Sequence, residues 1–150
     1  MRRLTIALAA ALGLLSACAT ITPVAYTPDP ARIANPAEET RAIILANVVQ
    51  GCIAEPEFTT ATMLVVKFVC SGDGGGVGSF VARLDQVERI SLEESAGWYR
   101  VVVKHTSGIN DFTWTSRSLP DMERLADALT ALSAGPTSPA PAPVAGASDI

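Results

Sequence analysis

The sequence predicts an α+β domain, an antiparallel meander of about five strands with an N-terminal helix and a C-terminal amphipathic helix packed on it. Three observations lead there. A capped helix start stands near residue 36, five β-rich runs follow one another across short turns, and a helical apolar stripe closes the series before Gly135-Pro136. The first helix opens at Asn35-Pro36-Ala37-Glu38, which supplies a capping side chain, a helix-opening proline and an early acid. Ile44, Leu45 and Val48 form its apolar stripe, and Gly51 stops it.

From Thr62 to Cys70 the run TMLVVKFVC is β-branched and aromatic, with Leu64, Val66, Phe68 and Cys70 on one face and Met63, Val65, Lys67 and Val69 on the other. Both faces are apolar for most of its length, so this strand is expected to be covered on both sides. Further strands are expected at Ser79 to Leu84, Val87 to Leu92, Trp98 to His105 and Ile109 to Thr115. The connections Glu93 to Gly97 and Thr106-Ser107-Gly108 are short enough to make successive strands antiparallel neighbours. The last helix starts at Ser118-Leu119-Pro120-Asp121 and carries Met122, Leu125, Ala126, Leu129 and Leu132 on one face.

From about residue 62 to 134 this order resembles the later part of a pleckstrin-homology-like domain, carried by LDQVERISL, WYRVVVKH, DFTWTS and LPDMERLADALTAL. Phosphoinositide-binding members of that family have Lys and Arg around their first hairpin, where this chain has SGDGGGVGS. The lipid-headgroup activity therefore does not carry over, and the resemblance implies a small scaffold for protein contacts.

Arg2 and Arg3 precede an apolar run from Leu4 to Leu15, the charged and hydrophobic regions of a secretory signal. A helix over that run would reach about 18 Å against roughly 30 Å of hydrocarbon, too short for a stable span. Leu15-Ser16-Ala17-Cys18 resembles the lipobox of bacterial lipoproteins in all four positions. The resemblance implies a signal peptide at 1–17 and a diacylglycerol, with a further palmitate-type acyl chain, on Cys18. Two or three acyl chains give firm anchoring where one does not. Ala19 after the cysteine resembles an outer-membrane address on the periplasmic face, or a cell-membrane address where there is no outer membrane.

Loss of Arg2 and Arg3 with the signal leaves nine basic residues against fifteen acidic, moving the formal net charge from −4 to −6. An acidic chain has no electrostatic footprint for nucleic acid or anionic headgroups. Residues 18–35, rich in proline and poor in periodicity, read as a lipidated N-terminus and flexible tether that would hold the domain some tens of ångströms from the lipid. Residues 36–134 form the globular domain. Residues 135–150, GPTSPAPAPVAGASDI, read as a disordered Pro/Ala-rich tail.

Cys52 and Cys70 are an even pair in an oxidising compartment and read as a disulfide from the end of the first helix to the end of the first strand, two buried free thiols being the alternative. There is no Cys-x-x-Cys, and two cysteines with one histidine do not make a zinc site. Gly72 to Gly78 lacks the Gly-Lys-Ser/Thr and the following helix of a phosphate loop, and Asp73 alone is too few oxygens for calcium. Neither cofactor nor metal is expected. His105 ends a strand and is expected at the surface; a hydrolase would need it to converge with a nucleophile such as Ser107 and an acid such as Asp111. Phe112 and Trp114 share a strand face expected to lie under the last helix. The sheet face or edge carrying Tyr99, Lys104 and Thr113 is the expected contact surface. These readings lead to a lipid-anchored, non-enzymatic envelope lipoprotein that binds or helps assemble another envelope protein. A binder of a small hydrophobic ligand or lipid and a hydrolase using His105 are the alternatives.

Overall fold

The computed structural model describes residues 20–72, 75–107 and 111–135. The lipobox with Cys18, Asp73, the start of the expected strand at Ile109 and the tail from residue 136 lie outside the described residues. In chain order the elements are β1 (Thr22–Pro23), α1 (Pro36–Ala46), β2 (Cys52–Thr60), β3 (Met63–Cys70), β4 (Val77–Arg83), β5 (Val87–Ser95), β6 (Trp98–His105), β7 (Phe112–Ser116) and α2 (Leu119–Ser133). Single 3-10 turns lie at Pro30–Arg32 and Leu84–Gln86. The α+β class with helices near both ends of an antiparallel β region is as expected, but the strands do not form one meander.

They form two antiparallel sheets, in the orders β2-β3-β4 and β1-β5-β6-β7. The break falls at the Leu84–Gln86 turn, where Leu84 is buried and its N–H donates to the Thr62 carbonyl. Swallowing Leu84 turns the chain away from β4, so β5 starts a second sheet instead of extending the first. Ala54, Leu64, Val66 and Ala82 of one sheet meet Leu92, Val101, Val103 and Phe112 of the other in a single core. Ile43 and Ile44 of α1 and Met122, Leu125, Ala126 and Leu129 of α2 close it. Leu45, expected in the α1 stripe, points out and is 54% exposed.

Strand β2 is the element that periodicity misses. Its inward residues are Ala54, Pro56 and Phe58 and its outward ones Ile53, Glu55 and Glu57, an alternation without the usual β-branched residues. Pro56 is tolerated because β2 is a sheet edge, where one side of the backbone needs no ladder partner. Strand β3 also departs from expectation. Leu64 and Val66 are fully buried, but Lys67 and Val69 on the opposite face are exposed. Among the described residues, only one side of this sheet has a layer over it.

The segment expected as a tether is fastened to the domain. Thr22 and Pro23 pair with Glu94 and Glu93, and the Val24 N–H donates to the Leu92 carbonyl. Its prolines suit an edge position and its Tyr26 finds a partner in α2, so low periodicity here reflects a docked irregular strap.

Candidate functional site

The two sheets part along a seam between their edge strands β4 and β7. These strands approach each other, and an apolar cleft of about 250 Å³ lies beside them. Ala54, Phe68 and Phe80 line it from the inner face of the first sheet, and Thr113, Trp114 and Thr115 form its opposite wall along the free edge of β7. Asn47, Val48 and Val49 close one end. The Phe68 and Phe80 rings stack 5.1 Å apart. Gly78 makes this possible, because a Cβ there would stand 2.3 Å from the Phe68 ring. Gly78, the last residue of the Gly72 to Gly78 stretch, thus shapes the cleft. Trp114 stacks on Phe112 with centroids 6.4 Å apart; Phe112 is in the core as expected, whereas Trp114 is half-buried and faces the cleft.

Cys52 and Cys70 are joined in a disulfide at the rim of this cleft. It is a cross-strand link from the start of β2 to the end of β3, which corrects the expected link from the first helix. The flanking Ser71 N–H donates to the Gly51 carbonyl, so the pair occupies a non-hydrogen-bonded site, where facing side chains are closest. Closing a loop of 18 residues stabilises by about 3 kcal/mol in the chain-entropy view. The bond ties the start of β2 to the end of β3 at the rim of the cleft.

His105 is buried, 4% exposed, which corrects its expected surface position. Its Nε2 accepts the Arg83 main-chain N–H at 3.1 Å, which clasps the end of β6 to the end of β4. Asp111 accepts the His105 main-chain N–H, not the ring, and Ser107 has no hydrogen bond to it among the described residues. The proton-accepting nitrogen is spent on backbone. No group of three or more metal-ligating side chains occurs among the described residues, and none of the described helices is long and apolar enough to cross a membrane.

Tyr99, Lys104 and Thr113 do not share a face: Tyr99 lies with Val101 toward the core, while Lys104 and Thr113 are on the outer side. Two other exposed groupings take their place. Ile53, Val69 and Val77 form one cross-strand row on the outer face of the first sheet, 70%, 52% and 81% exposed. Trp98 is 42% exposed at the β5–β6 hairpin, with the Arg117 guanidinium 4.7 Å above its ring centroid.

Sequence reasoning passed over Asp127, the fully buried acid of α2. Its Oδ1 accepts the Tyr26 hydroxyl and the Asp29 main-chain N–H, both at 2.6 Å, latching the N-terminal strap to α2. An acid inside the otherwise apolar run LADALTAL was the available signal. Burial, then the hydrogen bond to Asp127 and its nearby charge, push the Tyr26 hydroxyl from 10.0 up to about 12. The fold thus favours the protonated phenol. Its contribution is complete below pH 10 and is lost as pH rises toward about 12. Chemical unfolding between those pH values should show a steeper loss of stability in the wild type than in Tyr26→Phe; equal slopes would mean that the latch does not hold the phenol. No protein-family model, no curated protein and no solved structure matches this chain.

Proposed function

We propose that this chain is a bacterial lipoprotein, acylated on Cys18 after loss of residues 1–17 and held on the periplasmic face of the outer membrane, where its domain binds a partner protein. The seam carries the binding reading. Edge strand β7 borders an apolar cleft, the combination that accepts an extended peptide by strand addition, with main-chain bonds for affinity and a pocket for alternate side chains. Its volume of about 250 Å³ suits one or two such side chains. The reading as a small scaffold for protein contacts rests on the sequence pattern that resembles a pleckstrin-homology-like domain, here in a chain that folds into a three-stranded and a four-stranded antiparallel sheet followed by an amphipathic helix.

Cys18→Ser should abolish acylation and move the protein from the membrane to the soluble fraction, since a serine hydroxyl cannot form the thioether and neither Cys52 nor Cys70 stands in the lipobox-like motif. Recovery of the wild type without lipid and free of membranes would reject the anchor. For the seam, a photo-crosslinking residue at Thr115 should capture a partner in intact cells, while one at exposed Val69 should not. Phe80→Asp, at a side chain 43% exposed, should remove the Thr115 adduct while leaving the fold intact. Equal capture from both positions, or an adduct indifferent to Phe80→Asp, would sink the seam as the contact site. A second reading, a small hydrophobic ligand, is favoured by the same apolar lining. Its size is below the roughly 300–1,000 Å³ of most ligand sites, so only a short chain would fit. Titration with decanoate should then change Trp114 fluorescence saturably.

A further inference from the structure

Cys18 stands four residues before Thr22, and Thr22 is already paired with Glu94. Four fully extended residues span at most about 14 Å. An acyl group on Cys18 would therefore hold the domain close against its membrane rather than at the end of a long tether. Strand β1 runs antiparallel to β5, with Pro23 opposite Glu93 and Thr22 opposite Glu94. Followed backwards, the chain heads past Ser95 toward the hairpin tip Ala96-Gly97, whose two positive φ values, 52° and 76°, make a tight two-residue turn. The anchor thus leaves the domain at the β5–β6 hairpin end.

That end carries exposed apolar and amphipathic side chains. Ile21 is 51% exposed, and Trp98 presents its ring beneath the guanidinium of Arg117. The acids nearby are engaged: Glu93 accepts from Arg100, and Glu94 accepts from the Gly97 N–H and the Thr22 hydroxyl. Tryptophan, with an apolar body and one N–H, and arginine, with an apolar stem and a charged head, are the side chains that settle at the level of lipid headgroups. We infer that the β5–β6 hairpin end, with Ile21, Trp98 and Arg117, rests in the bilayer interface and orients the domain on its membrane. This rests on the lipoprotein reading above. The recognised chemistry is a zwitterionic lipid surface, consistent with a chain whose formal net charge is −4.

The test uses full-length protein expressed with its signal, extracted from membranes and reconstituted in phosphatidylcholine vesicles containing brominated phosphatidylcholine. Trp114→Phe leaves Trp98 as the reporter, and Trp98→Phe leaves Trp114, which faces the cleft, as the reference. Trp98 should be quenched several-fold more strongly than Trp114. Inserting a Gly/Ser linker of about twelve residues between Ala19 and Thr20, roughly 20 Å of added reach, should lower Trp98 quenching to the Trp114 level without releasing the protein from vesicles. Acylated, vesicle-bound protein with equal quenching at the two positions would overturn the orientation, as would quenching of Trp98 unchanged by the linker. Mass spectrometry of the Cys18 peptide separates the two failures, because an unmodified thiol would overturn the anchor itself and this inference with it.

Discussion

Leu125→Asp is expected to abolish cooperative unfolding, leaving a chain with reduced near-ultraviolet dichroism and no thermal transition. Leu125 is fully buried on α2, in the core cluster, and α2 packs on α1 and on strands β5, β6 and β7. Removing a buried leucine side chain costs about 2–5 kcal/mol by itself. The new carboxylate would add the penalty of burial without a donor, since the surrounding core is hydrocarbon. Together these rival the roughly 5–15 kcal/mol that holds a domain of this size. Leu125→Met keeps volume and hydrophobicity and should cost less than about 1.5 kcal/mol. An unchanged melting temperature in the aspartate variant would show that α2 is not docked.

Asp127→Ala should destabilise by about 3 kcal/mol, because hydrogen bonds to a carboxylate contribute about 1.5–3 kcal/mol each and two donors lose their acceptor. For a domain of this size that is a drop of about 10 °C in Tm. The Tyr26 hydroxyl and the Asp29 N–H would be left without the acceptor that bound them both. The strap should then come away before the domain unfolds, exposing the residues before α1 to protease. Tyr26→Phe breaks one of the two bonds and should cost about half as much. A protease pattern identical to the wild type would mean that β1 and the Pro30–Arg32 turn hold the strap without the latch. With Cys18 acylated as proposed above, the same release would lengthen its link to the domain, so Asp127 would couple strap stability to the distance between domain and anchor.

Helix α2 was legible because Met122, Leu125, Ala126 and Leu129 recur every three or four residues and all are buried. Its start was also legible: Ser118 accepts the Asp121 N–H, the local bond that favours serine at a helix entry. Strands β3 to β6 could be located from their β-branched and aromatic runs, and the even pair Cys52 and Cys70 pointed to the disulfide. Asn35, by contrast, makes no side-chain capping bond, and helix α1 begins on Pro36. Capping chemistry indicates where a helix can start, not which bond will form.

Local pattern determined helix or strand for the two helices and for β3 to β7, since propensity and periodicity act over a few residues. Only the tertiary structure decided how those segments divide the core. Burial of Leu84 split the expected meander into two sheets, and that split created the seam beside β7. Strand β2 exists because β3 offers it an edge, although Glu55, Pro56 and Glu57 carry little strand signal of their own. The strap, Asp127 and His105 have the same explanation. Tyr26 lies 101 residues from Asp127 in the chain and Arg83 lies 22 from His105, and a polar group's partner becomes visible only when packing has brought distant segments within about 3 Å.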